Sequence, residues 1–390
     1  MTELRTDESS KQVKTKPYID YSLILVIFFL MAFGLLMIYS TSYYTAQIKL
    51  DDPIYYFRRQ LMMNGFGIVA ALIVVIFNYH FFANKVVVIF AWCASVAVMF
   101  LVNFTSFGIE FNGRKRWFGI GGHSLFQPAE LVKIALIVVI AAILNTAKYS
   151  IDEWKKTAVL FGIIAVPTLF VIDNNLSSGL IILGIAFVML FVSSTKKQRF
   201  LLIIAAAIAL AVIAYFTGEV LVDAGILKKY QLSRILVWKN PSAYSQEGGW
   251  QVLQGLYAIG SGGLFGKGLG ASTQKLGFVP EAQNDMIFSI ICEELGIFGG
   301  VCLILMYIFL IYRMVKIAQN APDRLGFLLV VGVIAHISLQ VVLNIAVVTN
   351  VIPNTGVSLP LVSYGGSSAI FTLAEFGLVF AVARKIRVEV

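Results

Sequence analysis

The stretch GLGASTQKLGFVPEAQNDMIFSIICEELGIFGG, residues 268–300, passes from a glycine-rich loop into an apolar run within a few positions. The loop ends at Pro280, the polar group Glu281, Gln283 and Asn284 follows, and Asp285 stands where the oily segment begins. A run of about 18 apolar residues is long enough, as a helix, to cross a hydrocarbon core of ~30 Å. Runs of this kind recur from end to end. The chain is 59% hydrophobic and only 13% charged, far outside the globular balance. The fold class read from this is all-α: a polytopic integral membrane protein. A β-barrel would need short strands of alternating polarity instead.

Spans are expected near 22–40, 61–79, 86–103, 128–146, 157–174, 177–194, 199–217, 285–311, 326–349 and 364–383, which makes about ten crossings. Residues 1–20 read as a polar cytoplasmic tail, disordered and carrying Arg5, Lys11, Lys14 and Lys16. They do not read as a signal peptide, because a full span follows with no small-residue cleavage site. Residues 21–390 form one transmembrane domain. Basic residues set the orientation: Lys85, Lys155, Lys156, Lys196, Lys197, Arg313, Arg324, Arg384 and Lys385 fall in loops on the side of the N-terminus. Both termini are therefore expected in the cytoplasm. Residues 218–284 then form a large extracytoplasmic loop between helices 7 and 8, too long for a plain connector. Its segments Ile235–Trp238 and Val252–Tyr257 suit short interfacial helices.

The net charge of +9 reflects these inner loops and their anionic lipids rather than nucleic acid. Cys93, Cys292 and Cys302 lie in apolar runs, and His80, His123 and His336 are too scattered for a zinc site. The glycines between Gly262 and Gly270 miss the Walker spacing; they permit tight turns or close approach of backbone to a ligand or a neighbouring helix. Several cations break the inside bias: Arg58 and Arg59, Arg114, Lys115 and Arg116, and Arg234 in the long loop. Each is either tolerated by translocation or placed to bind something anionic outside. Pro128 and Glu130 make an ordinary helix start, but Lys133 is costly in lipid unless paired or facing a cavity. At 1.5 Å per residue Glu293 lies about 12 Å deeper than Asp285 on nearly the same face, with Glu294 opposite. Such an acidic face fits a cavity, a proton path or a helix–helix network. Glu375 is a further intramembrane carboxylate that needs a partner. In residues 355–368 the hydroxyls, among them Ser363 and Ser367, serve helix packing and headgroup binding equally well.

Several motifs resemble one family in order and spacing. They are Asn112-Gly113-Arg114-Lys115-Arg116-Trp117, Gln127-Pro128-Ala129-Glu130-Leu131-Val132-Lys133, and Arg234 with Gly249-Trp250-Gln251 and Gln254. Pro280-Glu281-Ala282-Gln283-Asn284-Asp285, Glu293-Glu294-Leu295-Gly296 and Pro360-Leu361-Val362-Ser363-Tyr364-Gly365-Gly366-Ser367-Ser368 complete the set. Over nearly its whole length the chain resembles the SEDS cell-wall polymerases, which include FtsW, RodA and SpoVE. Gln274-Lys275 and Val347-Val348-Thr349 look more like the FtsW/SpoVE branch. Two departures stand out: Asn284 where the family usually has Thr, and Asp173-Asn174-Asn175 where many members have an acidic Pro-Asp motif. No role is carried over to Asn175.

The resemblance implies a ten-helix peptidoglycan glycosyltransferase in the bacterial cytoplasmic membrane. It would polymerise lipid II into β-1,4 glycan strands on the outer face, for septal wall synthesis in cell division. Asp285 is implied as the catalytic residue. Glu130, Lys133 and an outer arginine, Arg58 or Arg59, are implied as functionally important. Substrate contacts are further expected from Arg114, Arg116, Arg234, Gln251, Ser363 and Ser367, with Glu281, Glu293 and Glu375 in supporting intramembrane or interfacial roles. No cofactor is obligatory; a divalent cation, Mg or Mn, would bridge phosphate and Asp285 if one takes part. Expected partners are lipid II, the nascent glycan strand, a class B penicillin-binding protein and other divisome or elongasome membrane proteins. The alternatives are a lipid II flippase, or the same polymerase serving elongation or sporulation. An ion channel is disfavoured because no pore motif repeats.

Overall fold

A computed structural model describes residues 15–111, 114–121, 123–146, 152–223 and 229–389. The long helices are α1 (Tyr21–Leu50), α2 (Tyr55–Ile76), α3 (Lys85–Phe104), α4 (Pro128–Asn145), α5 (Trp154–Asn174) and α6 (Leu176–Ser193). They continue with α7 (Gln198–Asp223), α10 (Ile287–Gln319), α11 (Arg324–Val348) and α12 (Gly366–Ala383), while α8 (Lys229–Lys239) and α9 (Gly249–Gly262) lie between α7 and α10. Among the described residues nine helices are long and apolar enough to cross a membrane, and α7 contains a shorter apolar run, Gln198–Leu210.

The termini decide whether α7 crosses. Strand β1 (Thr15–Pro17) pairs antiparallel with β5 (Arg387–Glu389), so both ends of the chain meet at one end of the bundle. An even number of crossings is required, and α7 supplies the tenth. Residues 15–20 are therefore not part of a free tail as expected. Their order comes from this pairing and from Asp20, which caps α1 at Leu23 N (2.9 Å) and takes a bidentate contact from Arg313. Residues 1–14 of the expected tail lie outside the described residues.

Helix α4 is buried on nearly all sides, with α3, α6, α11 and α12 around it; beyond Lys133 its side chains are Ile, Leu, Val and Ala up to Asn145. The outer end departs from the expected spans in three ways. Helix α2 starts at Tyr55 rather than 61, so Arg58 and Arg59 sit in its first turns and not in a loop. Helix α1 runs ten residues past the expected end at 40, through the polar Ser40–Ser42. The segment between α3 and α4 is not featureless: β2 (Gly108–Phe111), β3 (Arg114–Ile120) and β4 (His123–Phe126) form a small antiparallel sheet. A water-exposed hairpin needs no helix to satisfy its backbone, unlike a segment inside lipid.

The largest difference lies in the opening stretch. Helix α10 has 33 residues, roughly 50 Å at 1.5 Å per residue, too long for one crossing. It is broken at Gly296 (φ 73°, ψ −177°). The glycine-rich segment after α9 fits into this break: Lys267 N and Gly268 N donate to Glu293 O and Glu294 O at 2.9 and 3.0 Å, and Ile297 N donates to Gly263 O at 2.9 Å. A side chain on Gly266 or Gly296 would strike the facing backbone. The glycines thus serve close backbone approach to a neighbouring helix, one of the two roles read from the sequence. Non-helical backbone at this depth is tolerated because protein, not lipid, covers it.

Candidate active site

Asp285 lies in the turn just before α10, at the polar-to-apolar boundary where the span was expected to begin. It sits at the end of the bundle opposite the termini: Arg313, which holds Asp20 beside α1, is 28 residues further on, about 40 Å along a helix. Around it the structure gathers four elements. Gln251 on α9 donates to Asp285 Oδ1 at 3.3 Å, and its own carbonyl accepts from Asn354 at 3.1 Å. Asn344 on α11 donates to the backbone oxygen of Asp285 at 2.8 Å. Gly356, at φ +66°, passes so close that a Cβ there would lie 3.6 Å from Asp285 Oδ2. Arg234 on α8 and Glu281 lie within electrostatic reach of the carboxylate.

Burial pushes the Asp285 carboxyl up from 3.8 to about 7, and the negative charge of Glu281 pushes the same way. Its own backbone amide, Arg234 and Gln251 pull it down without cancelling the rise. A carboxylate placed near neutrality is suited to accept a proton in catalysis. Among the described residues no three His, Cys, Asp or Glu side chains come together as a metal cage. Asp285 and Glu281 are the two carboxylates a hard cation would meet, so a divalent ion would need phosphate oxygens to complete its shell.

The other expected site residues divide between this cluster and scaffolding. Arg59 is held by Tyr55 Oη at 2.9 Å and acts electrostatically on Tyr364, whose N–H donates to Gln283 O at 2.8 Å, two residues from Asp285. Arg58 points to Asp52 instead. Arg114 and Arg116 donate to Asp173 O and Asn174 O at 3.3 and 3.1 Å, fixing β3 to the end of α5. The preceding Asn112 and Gly113 lie outside the described residues. Asn175 caps α6 through Ser178 N. Ser363 accepts from Leu359 N at 2.8 Å and shapes the loop before α12, while Ser367, in the first turn of α12, accepts from Gln127 N at 3.2 Å and ties that turn to the start of α4.

Glu293 and Glu294 are fully buried and do not line a passage. Glu293 receives Lys267 at 2.7 Å together with Ser272, Thr273 and the backbone N–H of Gln274. Glu294 receives Lys275 and Ser40, each at 2.7 Å. Of the three uses the acidic face allowed, a network between elements is what forms. It clamps the loop carrying Asp285 to α10 and α1.

Deeper in the bundle Glu130, Lys133, His336 and Glu375 form one chain. Lys133 Nζ is 2.8 Å from Glu130 Oε1 and 2.9 Å from His336 Nε2, and His336 Nδ1 is 2.6 Å from Glu375 Oε2. Sequence reading found Glu130, Lys133 and Glu375 but weighed His336 only as a metal ligand. It missed Gln340 and Asn344 altogether, although His336, Gln340 and Asn344 at steps of four mark one face of an otherwise apolar helix. At the termini end an apolar cleft of about 510 Å³ opens between α1, α2 and α12, lined by Ile27, Met31, Leu72, Phe376 and Phe380. It lies far from Asp285, and the carboxylate in its lining, Asp20, is already held by Arg313.

Comparison with known proteins follows the same geometry. Residues 21–388 match the FtsW/RodA/SpoVE family model, described as cell cycle protein. Stage V sporulation protein E of Bacillus subtilis is 35% identical over 95% of this chain and 98% of its own length. A probable peptidoglycan glycosyltransferase FtsW of Trichlorobacter lovleyi is 32% identical over 93% of each chain. A chain from a solved peptidoglycan synthase complex, in which polymerization and crosslinking are coordinated, superposes with a TM-score of 0.75 at 28% identity, covering 94% of this chain and 98% of that one. The Thermus thermophilus rod shape determining protein RodA superposes at 0.65 with 26% identity, covering 95% and 97%. With a family model matched over residues 21–388 and relatives spanning nearly its full length, this multi-pass membrane protein belongs to the FtsW/RodA/SpoVE family, the SEDS proteins.

Proposed function

We propose that the chain is a peptidoglycan glycosyltransferase that polymerises lipid II at the outer face of the bacterial cytoplasmic membrane, with Asp285 as general base. The observation that carries this reading is the Asp285 carboxyl, raised to about 7 by burial and held by Gln251 and Asn344 at the end of the bundle away from the termini. Basic residues at the termini end support a cytoplasmic location for both termini.

Asp285 takes the proton from the 4-hydroxyl of the acceptor's GlcNAc as that oxygen attacks the anomeric carbon of the donor. The β-1,4 bond forms with inversion, and the bond to undecaprenyl pyrophosphate breaks. The departing diphosphate is anionic and needs cations rather than a second acid. Arg234, within electrostatic reach of Asp285, and Arg59, which acts on Tyr364 beside the Asp285 turn, take that role. If a Mg or Mn ion takes part, Asp285 and Glu281 would hold it, and it would supply charge neutralisation at the phosphate oxygens. A class B penicillin-binding protein is the partner that crosslinks the product; the synthase-complex relative supports this. Septal synthesis is the role we favour over elongation or sporulation, and the position of a tagged copy in dividing cells tests it.

The rival reading, lipid II transport, drew on the intramembrane charges. They are bonded to one another and bring no passage to Asp285. Purified protein in detergent, given labelled lipid II alone, separates the two readings. A polymerase yields a ladder of glycan products on a gel; a flippase leaves lipid II unchanged.

A further inference from the structure

Lys133 is 2% exposed, and its ammonium is already taken by Glu130 at 2.8 Å, His336 at 2.9 Å and Gln340 at 3.4 Å. A cation so enclosed cannot reach a diphosphate without abandoning three buried partners, and breaking a buried ion pair costs about 3–5 kcal/mol. Its link to the outer face runs instead along α11. His336, Gln340 and Asn344 stand on one side of that helix, spaced by one turn each and all at most 3% exposed.

The rungs connect step by step. His336 joins Lys133 to Glu375 on α12. Gln340 accepts from Lys133 and donates to Ser358 O at 2.9 Å. Asn344 donates to Val357 O at 2.6 Å and to Asp285 O at 2.8 Å. The segment 354–358 is thereby held at Ser358, Val357 and, through Gln251, at Asn354, with Gly356 against the Asp285 carboxylate. Between His336 and Asn344 the ladder rises about 12 Å.

We propose that Glu130, Lys133, His336 and Glu375 are positioning residues, not substrate contacts: through Gln340 and Asn344 they fix the backbone of Asp285 and of segment 354–358. Ion pairing at mid-bundle holds α4, α11 and α12 in one register, and the amide rungs transmit that register to the site. A displacement of about 1 Å at a reacting group costs on the order of 10²-fold in rate, so loosening the ladder lowers turnover while leaving substrate affinity alone. This inference rests on Asp285 being the base.

The test is a double-mutant cycle on purified protein with labelled lipid II, using Lys133→Met and Asn344→Leu. Each single variant is expected to lower kcat by roughly 10- to 100-fold with KM within about twofold. The double variant should fall no further than the worse single one, because both act through the same path. Gln340→Leu with Asn344→Ala repeats the cycle without touching the ion chain, and decides the matter if Lys133→Met does not yield a monodisperse protein. A raised KM with kcat preserved in Lys133→Met, or losses that multiply in the double variant, would overturn the proposal. Asp285→Asn measured in parallel separates the two levels: an active Asp285→Asn sinks the base assignment, whereas an inactive one beside multiplying losses sinks the ladder alone.

Discussion

Glu293 offers a sharp test of whether the buried acids are structural. It is fully buried, yet its two oxygens accept from Lys267 Nζ (2.7 Å), Thr273 N (3.2 Å), Thr273 Oγ1 (3.1 Å), Gln274 N (3.3 Å) and Ser272 Oγ. Hydrogen bonds to a charged group are each worth about 1.5–3 kcal/mol, but Lys267 and the loop amides regain water once released. The net loss for Glu293→Ala is therefore well below the sum of those bonds and nearer that of two of them, roughly 3–6 kcal/mol. Glu293→Gln keeps the shape and one acceptor oxygen, and should lose about half of that. Lys267→Met should cost less than either, since the Lys267 side chain is 32% exposed and leaves a carboxylate still bonded to Ser272 and Thr273. Thermal unfolding in detergent, followed by size-exclusion fluorescence, reads the order Ala, Gln, Met from most to least destabilised. Activity should fall with stability and be partly restored at low temperature. If Glu293→Ala keeps the wild-type melting temperature but abolishes polymerisation, Glu293 belongs to a reactive cavity or proton path, and the clamp is refuted.

Two further outcomes follow from the same site. The log of kcat/KM should rise with unit slope below pH ~7 and level off above it, because Asp285 must lose its proton to act; a profile centred near 4 would contradict the raised carboxyl. The raised value also means that the fold favours protonated Asp285, so this group's contribution is full below about pH 4 and is lost as pH climbs to about 7. Asp285→Asn should then melt higher than wild type above pH 7, by at most roughly 4 kcal/mol at 1.36 kcal/mol per pH unit, less a discount for partial exposure. Opposite the break in α10, Gly266→Ala should cost about 2–5 kcal/mol, from the positive-φ backbone and the clash with Glu294 O. Gly268→Ala, at φ +102° with open space around it, should cost only about 1–2 kcal/mol in a melting assay; equal losses would remove the close-approach account.

The crossings were legible because each apolar run must satisfy its own backbone in lipid, leaving helix as the outcome for a run of that length. Asp285 was legible too, as a carboxylate at a polar-to-apolar boundary facing misplaced cations. What hydropathy cannot register is a break inside an apolar run. Gly296 sits between Leu295 and Ile297, and only the facing Gly266 shows why the helix stops there. The outer sheet had a sequence signal in Asn112-Gly113 and Gly121-Gly122, pairs of the kind that favour hairpin turns; the first stood only as part of a family motif and the second carried no reading. Glu293 and Glu294 were seen as intramembrane acids because their lysines, Lys267 and Lys275, lie some twenty residues earlier in a loop. The ladder on α11 was visible as His336, Gln340 and Asn344 four apart; its meaning depended on Lys133 and Asp285 meeting that face from two other elements.

Polymerisation by this mechanism stands or falls on Asp285 as the proton acceptor. Purified wild type and Asp285→Asn, each monodisperse and with its melting temperature recorded, are incubated with fluorescent lipid II at pH 7.5 (about half a unit above the Asp285 value) and products resolved on a gel. Wild type should give polymer and the variant a loss of on the order of 10²- to 10⁴-fold, with a melting temperature equal to wild type or higher. An Asp285→Asn protein that extends lipid II within about twofold of the wild-type rate, far from the loss expected of a general base, would contradict that role.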